Sequence, residues 1–354
     1  MNAPFALPKL TVRLADAAEP AIAAFLADHP QATVFHGAAW LEAISAATGS
    51  FALALVAEAR GEVRGYLPLS EIHSPVFGRM LASTGFAVGG GLLLAEGTDA
   101  APLLAAASEL AQRRSCPAIE LRGGVMPADG TGWHLKREAH CGFVAPLGES
   151  DEAQLLAIPR KQRAEVRKGL EQDLAVTIGT GQRDRAAHHA VYSESVRNLG
   201  TPVFPRALFD RVLDRLGENA DILTVWRGET PVASVLSLYH RGAVMPYWGG
   251  GTRAARALRA NDRMYFELMA HAGRRGCTRF DFGRSKTGSG PYHFKRNWGF
   301  VPEPLTYANW TAPGCQPRDA DPTSAKHRAL IAAWQMLPLA VANRLGPLIA
   351  RGLG

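Results

Sequence analysis

The sequence lacks the motifs that mark most catalytic and cofactor-binding sites. It contains no GxSxG nucleophile elbow, no Walker-type phosphate-binding loop, no GxGxxG dinucleotide-binding pattern and no HExxH zinc motif. Their absence favours the transfer of an already activated group. Such a reaction needs positioning of the reactants, stabilisation of an oxyanion and at most one base.

Cysteine is scarce, and its spacing is not that of a metal site. The four cysteines, which include no CxxC pair, are Cys116, Cys141, Cys277 and Cys315. This spacing excludes a zinc ribbon and a disulfide framework and is typical of a reducing cytoplasm. We therefore expect no metal site and no covalently bound cofactor.

The chain also lacks long apolar runs. No stretch of about 18 apolar residues is present, and residues 1–16 do not combine a basic start with an apolar core. We therefore expect no transmembrane helix and no secretory signal. The 354 residues are 47% hydrophobic and 20% charged, which is typical of a globular protein with two domains. The net charge of +7 permits an anionic partner such as nucleic acid, a coenzyme, a phosphorylated carrier or a lipid surface.

The two halves of the chain repeat the same order of elements. VAEARGEVRGYLPLS at 56–70 resembles VWRGETPVASVLSL at 225–238, and RRSCPAIELRG at 113–123 resembles RRGCTRFDFGR at 274–284. The second match places Glu120 opposite Asp281. A repeat of this length predicts a duplicated α/β unit. We expect domains at 1–150 and 151–312, with a linker and C-terminal helices at 313–354.

Two further elements, one in each half of the chain, are predicted from local sequence signals. We expect a third strand over residues 79–94, which would end in the triplet Gly89-Gly90-Gly91. We also expect a helix over residues 262–275, capped by Asn261 or Asp262.

The segment 274–300 contains candidate catalytic and binding residues of the second half. A short apolar strand ends near Asp281, and the glycine-rich, basic loop GRSKTGSG at 283–290 follows it. Tyr292, His293 and Lys295 come next. This composition predicts one lip of a binding cleft. The alternative is a surface hairpin whose aromatic side chains close the core.

Two basic stretches are candidates for binding an anion. A helix beginning near Pro159 would carry Arg160, Arg163 and Arg167 on one face, with Lys161 and Lys168 beside it. The loop after the second glycine triplet holds Arg253, Arg256 and Arg259 ahead of a helix N-terminus, which is an arrangement that binds phosphates. Each stretch could instead be a solvated, exposed surface.

The C-terminal segment 326–354 is apolar at helical spacing and is edged by Lys326, Arg328, Arg344 and Arg351. Two prolines, Pro338 and Pro347, divide it into short helices. This pattern fits an interfacial membrane contact. Docking on the protein's own surface or on a second subunit fits it equally.

The residues carry a resemblance to a known family. FDFG at 280–283 followed by GxGPYHFKRNWGF at 288–300 resembles the FemAB-type transferases, which belong to the acyltransferase superfamily with the GNAT fold. HGAAWLEAI at 36–44 and PRKQRAEVRKGLEQDLAV at 159–176 resemble further motifs of that family. LPLAVANRLGPLIARGLG at 337–354 resembles the subgroup associated with exopolysaccharide and PEP-CTERM/exosortase loci.

The resemblance implies an α/β (α+β) fold. Two tandem duplicated GNAT-like domains would each have a mixed, mostly antiparallel sheet flanked by helices, and an amphipathic helical tail would follow. It also implies an N-acyl or aminoacyl transferase, in which an acceptor amine attacks an ester or thioester. The donor would be aminoacyl-tRNA or acyl-CoA, and the acceptor would be a small-molecule or lipid-linked precursor of the cell envelope.

The resemblance assigns expected roles to residues of the second half. Tyr247 and Lys295 match positions that contact the acceptor in the family. Lys295 would stabilise the oxyanion or hold a donor phosphate. Asp281 or His293 would accept the amine proton, although Asp281 could be only a hydrogen-bond acceptor at the strand end. Tyr247 and Trp248 would line the acceptor cleft, together with Tyr292 and Arg284. The residues expected to bind the phosphates of the donor are Arg253, Arg256, Arg259, Asn261, Lys161 and Arg163.

Some positions depart from the family pattern. Glu42 stands where a lysine would bind the phosphates of a peptidoglycan precursor, and Phe204 and Leu208 occupy the region of an assisting arginine and tyrosine. The helical arm of some tRNA-dependent members and the acyl-CoA-binding glycine loop of ordinary GNAT enzymes are both missing.

The alternative functions are a long-chain acyl-CoA-dependent lipid N-acyltransferase of the ceramide-synthase type, a non-catalytic carrier-binding module, and nonspecific RNA binding. We expect a cytoplasmic protein, at the inner face of the cytoplasmic membrane if the tail binds lipid. The oligomeric state stays open.

Overall fold

The computed structural model describes residues 10–74, 78–130, 132–316 and 325–352, with side chains in the last range from Leu330 onward. The strands, in chain order, are β1 (Thr11–Ala15), β2 (Phe51–Ala59), β3 (Glu62–Ser74), β4 (Gly78–Ala82), β5 (Leu93–Leu94), β6 (Ala118–Arg122), β7 (Trp133–Gly142), β8 (Val144–Pro146), β9 (Ala175–Gly179), β10 (Ala220–Arg227), β11 (Thr230–His240), β12 (Ala243–Gly251), β13 (Arg279–Asp281), β14 (Ser285–Lys286) and β15 (Glu303–Thr311). The α-helices are α1 (Pro20–Asp28), α2 (Ala38–Thr48), α3 (Ala101–Arg113), α4 (Asp151–Ala157), α5 (Arg160–Leu170), α6 (Gln182–Asn198), α7 (Arg206–Leu216), α8 (Ala255–Leu258), α9 (Ala260–Arg274), α10 (Gly290–Asn297), α11 (Ala325–Met336) and α12 (Leu339–Ala350).

The described residues form two compact units. Unit 1 contains residues 10–136, 306–316 and 352, and unit 2 contains residues 137–305 and 325–351. The chain therefore leaves unit 1 within β7 and returns to it within β15. The predicted boundaries at 150 and 312 follow the sequence repeat and stay a prediction about the duplication.

In unit 1, the sheet runs in the order β1-β2-β3-β4-β6-β15, with β5 paired to β3. Neighbouring strands are antiparallel except β4 and β6, which pair in parallel with Leu81 opposite Ile119. Helix α1 packs on β3, and α3 packs on β2 and β6. The core between α3 and the sheet is built from leucines with Trp133 and Trp310, so that burial of apolar surface stabilises this unit.

In unit 2, the sheet runs in the order β8-β13-β12-β11-β10-β9. Here too a single pair is parallel, with Val244 of β12 opposite Phe280 of β13. Helix α6 packs on β11 and β12, and α9 packs on β10 and β11. Strand β11 is buried almost throughout, which explains why its sequence does not alternate between apolar and charged residues; its two interior polar residues are the small, buried Ser234 and Ser237.

The two units repeat each other at the level of register. The hairpin β2–β3 carries a bulge at Arg64, and the hairpin β10–β11 carries one at Val232, at the same distance from a two-residue turn. The parallel pairs place Ile119 and Phe280 in equivalent positions, so that Glu120 corresponds to Asp281. The duplicated, mixed α/β fold predicted from the sequence is therefore confirmed.

The expected strand over 79–94 is wrong. Strand β4 ends at Ala82, and the chain then turns because Thr84 and Phe86 both adopt positive φ angles, 57° and 58°. Side chains hold this turn: the Thr84 hydroxyl donates to the carbonyl of Gly89, and the Trp40 indole donates to that of Gly85. The alternation of apolar and polar residues that predicts a strand does not predict hydrogen bonds of this kind.

The expected cap of the helix over 262–275 is also wrong. Helix α9 begins at Ala260, and Arg259, with φ of 54°, is its N-cap. Asn261 therefore lies inside the first turn. Gly169 of α5 comes so close to the Arg259 carbonyl that a Cβ at position 169 would lie 2.8 Å from that oxygen. This close contact between α5 and the turn at Arg259 is a tertiary constraint that capping preferences alone do not contain.

Candidate active site

The candidate site lies where β12 and β13 separate. The two strands pair only at Ala243–Arg279 and Val244–Phe280. Strand β12 then continues to Gly251 alongside β11, whereas β13 ends at Asp281. Because the strands are parallel, their carboxyl ends open a cleft at one edge of the sheet, the usual place for a ligand in an α/β sheet.

Tyr247 is a bulge residue at this opening. Trp248 pairs with Leu236, and Pro246 pairs with Ser237, so Tyr247 is one residue more than the ladder accommodates. A bulge bends its strand and turns a side chain out of the regular alternation, and bulges are common beside active sites. The half-buried Tyr247 ring lies edge-on to Trp248, with ring centroids 4.8 Å apart.

Trp248 itself belongs to the packed interior. It is buried, and its ring contacts Phe204 and Phe209 edge-on at centroid distances of 6.3 and 5.2 Å. Phe204 thus packs on this tryptophan, and Leu208 is buried as well. Tyr247 is therefore the better placed of the two for contact with an acceptor.

Asp281 shapes the turn that follows β13. Its Oδ1 atom accepts a hydrogen bond from the backbone N–H of Gly283 at 2.8 Å. Gly283 has φ of +66°, a conformation that favours glycine. The carbonyl of the same Gly283 accepts a hydrogen bond from Lys295. Asp281 and Lys295 thus both hold the backbone of one residue, Gly283.

Lys295 of α10 is a buried cation, only 8% exposed. Its Nζ atom donates hydrogen bonds to the carbonyls of Arg284 at 2.9 Å and Gly283 at 3.2 Å. The rings of Phe143 and Phe282 flank it, with centroids 5.3 and 5.6 Å from Nζ. A charge held in such apolar surroundings interacts strongly with any charge that develops near it.

The surroundings shift the pKa values of both ionisable groups. Burial lowers the pKa of Lys295 to about 8, although the Asp281 carboxylate opposes this shift. Burial likewise raises the pKa of Asp281, against the Gly283 hydrogen bond and the Lys295 charge. Lys295 therefore keeps its charge at neutral pH and loses it as the pH passes about 8.

The structure brings Asp281 and Lys295 together but leaves His293 apart. His293 is exposed, and it precedes Lys295 by two helical positions, about 200° around the helix. The half-buried Tyr292 packs edge-on against Phe143, 5.6 Å between centroids. The half-buried Arg284 contributes its carbonyl to Lys295.

Unit 1 shows a different arrangement at the equivalent place. Glu120, the counterpart of Asp281, accepts a 2.6 Å hydrogen bond from Nε of Arg122, and Arg122 is buried. The Arg122 guanidinium also donates to the carbonyl of Ala87. A cation supplied by the same strand thus occupies this place, whereas unit 2 brings Lys295 from a separate helix.

The predicted donor-binding cations fall into two groups. The exposed ones are Arg253, Arg256 and Lys161. Arg259 instead forms an ion pair with Glu165 and donates to the carbonyl of Arg256 at 2.7 Å. Arg163 donates to the carbonyls of Ile158 and Leu156 at the end of α4. Arg259 and Arg163 thus have structural partners, and the exposed cations are better placed to meet an anion.

Asn261 has a different environment from these cations. Its Oδ1 atom is buried and has no hydrogen-bond partner among the described residues. A Cβ on Gly251 would lie 2.5 Å from this oxygen, so the glycine is required here. Asn261 therefore offers a buried acceptor beside the end of β12.

Other features of the described residues do not compete with this site. No three His, Cys, Asp or Glu side chains in the described part of the chain could hold a metal ion. An open pocket of about 810 Å³ in unit 1 lies between α1 and the β2–β3 turn and contains none of the predicted site residues. The site is marked by strand geometry and buried charge rather than by the volume of a pocket.

Sequence reasoning missed the helix that carries Lys295. The Ser289-Gly290-Pro291 run is a start signal, because the Ser289 side chain accepts from the N–H of Tyr292 and proline is favoured in a first helical turn. It also missed Phe143, whose ring flanks the ammonium. No local signal identifies Phe143, because only the tertiary fold brings it to Lys295.

The Gly283 turn yields a prediction with a matched control. We expect Gly283→Ala to destabilise the protein by about 1–2 kcal/mol, because a side chain is strained at positive φ. We also expect about a tenfold loss of kcat/KM, because its carbonyl positions Lys295. Gly288→Ala shares the positive φ, +74°, and open surroundings but has no contact with Lys295. Urea unfolding and steady-state kinetics of both variants test this, and equal losses of activity would contradict the positioning role.

Comparison with known proteins identifies the class. Residues 160–296 match the family model of the acetyltransferase (GNAT) domain. Among solved structures, the chain is similar to FemX (TM-score 0.60, 16% identity, covering 80% of this chain and 94% of that one). It is also similar to a tandem GNAT protein from the clavulanic acid biosynthesis pathway (TM-score 0.58, 12% identity, covering 87% and 100%). No curated protein matches the chain in sequence.

These matches define an acyltransferase. The GNAT domain covers all of the predicted site residues, from Lys161 to Lys295. At these identities the two solved structures show the fold alone, and the tandem GNAT protein fits the duplicated units. The predicted GNAT-type fold and acyltransferase class are confirmed, whereas the exopolysaccharide-associated subgroup stays a prediction.

Proposed function

We propose that unit 2 transfers an activated acyl or aminoacyl group to an amine of a cell-envelope or exopolysaccharide precursor. The observation that carries this proposal is the buried Lys295 ammonium, held by the two backbone carbonyls of Gly283 and Arg284, which follow the carboxyl end of β13. A buried cation is costly to maintain, and such costs are accepted mainly at functional sites.

The proposed reaction is aminolysis of a thioester or ester. The acceptor nitrogen attacks the acyl carbonyl, and negative charge develops on its oxygen. Lys295 stabilises this oxyanion, the C–N bond forms, and the thiolate or alkoxide leaves while the nitrogen loses a proton. Preorganised donors of this kind typically contribute about 10²–10³ in rate.

Asp281 and His293 take different parts in this proposal. Asp281 positions Lys295 through Gly283, and its raised pKa also suits a proton acceptor. The exposed His293 lies on another side of α10, which favours exchange of protons with solvent over direct contact with Lys295. Tyr247 and Tyr292 line the proposed acceptor side, and Arg284 supplies a backbone acceptor to Lys295.

The donor is proposed to be acyl-CoA or aminoacyl-tRNA. Acyl-CoA is the co-substrate of GNAT domains, and both donors carry phosphates that exposed cations attract. Arg253 and Arg256 lie on the segment between β12 and α9, with Arg256 in the short helix α8, and Asn261 with its buried acceptor lies in the first turn of α9. Lys161 of α5 adds a further exposed charge.

Charge reversal at this loop should separate binding from chemistry. We expect Arg253→Glu with Arg256→Glu to raise the donor KM about tenfold, because each exposed charge near a phosphate contributes about 0.5–1 kcal/mol and reversal replaces attraction by repulsion. We expect kcat to change little. Arg227→Glu, which reverses an exposed arginine on the β10–β11 turn, is the control. The idea fails if the control raises the KM as much as the double variant does.

A second candidate function is a long-chain acyl-CoA-dependent lipid N-acyltransferase. The exposed apolar side chains of α11 and α12 favour it, because a lipid acceptor must be reached at a membrane. For either function we propose that the enzyme meets its acceptor at the inner face of the cytoplasmic membrane, through residues 326–354.

Donor-dependent binding and transfer test these candidates. Coenzyme A, acetyl-CoA, palmitoyl-CoA and charged tRNA are titrated separately against the full chain, and amide formation is then followed with the donor that binds. A preference for palmitoyl-CoA supports the lipid N-acyltransferase, and a preference for charged tRNA supports aminoacyl transfer. Absence of both binding and transfer with all four would favour the non-catalytic carrier-binding module, and tRNA binding without transfer would favour an RNA-binding protein.

A further inference from the structure

Helices α11 and α12 dock on unit 2 itself. The Gln335 side chain donates to the carbonyl of Asn198, and the Arg197 guanidinium donates to the carbonyl of Gln335. Gly346 of α12 lies so close to Val203 that a Cβ at position 346 would be 2.8 Å from the Val203 nitrogen. One face of this helical pair is therefore fixed against α6 and the loop that follows it.

The face that α12 buries is its small-residue face. Ala342, Gly346 and Ala350 recur every four residues and are buried. The larger aliphatic side chains point the other way: Val341, Leu345 and Leu348 are exposed, and Leu348 is 64% exposed. This is the reverse of an ordinary surface helix, in which the large apolar residues face the core.

The exposed apolar residues of the described chain are concentrated on this pair of helices. Leu330 and Met336 of α11 are exposed as well, and Met336 is 84% exposed. Single exposed leucines are normal on protein surfaces, but a contiguous group of large apolar side chains marks an interaction surface.

The charge of residues 322–354 indicates what kind of surface this face binds. No Asp or Glu occurs between residues 322 and 354. Arg344 of α12 and Arg351, the C-cap of that helix, are exposed and lie at i and i+7 on either side of Leu348 in the sequence, so they flank the apolar stripe along one edge. Two copies of this face brought together would place these arginines against one another, which disfavours self-association. An anionic surface complements both the stripe and its arginines.

We propose that the outer face of α11 and α12 binds an anionic phospholipid bilayer. The helices lie in the plane of the interface, with Val341, Leu345 and Leu348 inserted among the acyl chains and Arg344 and Arg351 at the phosphates. None of the helices in the described residues is long and apolar enough to cross a membrane, so the contact is peripheral. The proposal rests on the membrane contact proposed above and specifies its lipid class and residues, but it does not depend on the acyl transfer chemistry.

Vesicle binding of the full chain tests the proposal. Co-sedimentation is measured with vesicles of phosphatidylcholine alone and of phosphatidylcholine mixed with phosphatidylglycerol. We expect binding to the mixed vesicles. We expect about a tenfold or greater loss for the triple variant Val341→Ser, Leu345→Ser and Leu348→Ser. The double variant Arg344→Gln and Arg351→Gln should lose about fivefold per charge, with its residual binding no longer dependent on phosphatidylglycerol.

A matched control removes apolar side chains elsewhere. The triple variant Leu14→Ser, Phe51→Ser and Val301→Ser replaces three apolar residues that are together at least as exposed as those of α12, and it should bind as the wild type does. Thermal unfolding and circular dichroism establish that each variant is folded. No binding of the wild type to mixed vesicles, or equal binding by the two triple variants, overturns the proposal. A concentration-dependent dimer that only the α12 triple variant abolishes would assign the face to a second copy instead.

Discussion

Lys295→Met lowers kcat/KM for amide formation by about 10²–10³-fold, because the buried ammonium is the preformed charge beside the reacting carbonyl. Lys295→Arg should retain part of the activity, since it keeps a positive charge but cannot reproduce both carbonyl contacts. Lys286→Met is the matched control, because Lys286 is an exposed lysine of the neighbouring strand β14. Steady-state kinetics of the three variants with the preferred donor give the comparison.

The pH dependence distinguishes a charge role from a base role. With the pKa of Lys295 lowered to about 8, a required ammonium makes kcat/KM fall as the pH rises through about 8. Lys295→Arg should lose this descending limb, because an arginine stays protonated throughout that range. A rate that instead rises through pH 8 in the wild type, and only there, would make Lys295 a base and contradict oxyanion stabilisation.

The second prediction concerns the free energy of unfolding. The pKa of Lys295 is about 8 when folded against an ordinary value of 10.5, so between these values the unfolded chain binds more protons than the folded one. Stability therefore rises with pH across this window. Because a tenfold change in an acidity constant corresponds to about 1.4 kcal/mol, the full effect is about 3 kcal/mol.

The difference between wild type and Lys295→Met isolates this effect from other titrating groups. Urea unfolding from pH 7 to pH 10.5 should show the wild type gaining about 3 kcal/mol relative to the variant. At pH 7, removing the buried charge favours the variant, and the unpaired carbonyls of Gly283 and Arg284 offset part of that gain. A difference that stays constant with pH would mean that Lys295 is hydrated and titrates normally.

Much of the fold is readable from the sequence because it depends on local pattern. The matched hairpin segments at 56–70 and 225–238 and the matched strands at Glu120 and Asp281 predict the duplication. The register of the parallel pairs then agrees with the sequence match residue by residue. The structure agrees with the sequence in these features because each is determined by residue alternation, turn residues or burial within a short segment.

The parts of the fold that were not predicted from the sequence depend on tertiary contacts or on weaker local signals. Helix α7 was not predicted, although Leu208, Phe209, Val212 and Leu213 are buried at helical spacing. The left-handed N-cap at Arg259 and the turn at Thr84 depend on packing against other segments. Local preference therefore predicted the wrong start for α9 and the wrong end for β4.

The site residues stay a prediction, and the structure shows which of them lie together. Lys295 and Asp281 follow from residue type and position, and the structure joins them through Gly283. The separation of His293 from Lys295 required knowing that residues 290–297 are helical. The partners of Arg163 and Arg259 also lie outside any motif, since a run of cations does not reveal which members are held by carbonyls or by Glu165.

The most direct test of the central claim is detection of the amide product by mass spectrometry. Wild type and Lys295→Met are each incubated with acetyl-CoA, palmitoyl-CoA or aminoacyl-tRNA, together with glucosamine, a long-chain amine or a peptidoglycan precursor. We predict amide formation by the wild type with one donor, reduced about 10²–10³-fold in the variant. No amide with any donor, or equal amounts from both proteins, would contradict acyl transfer at the Lys295 site.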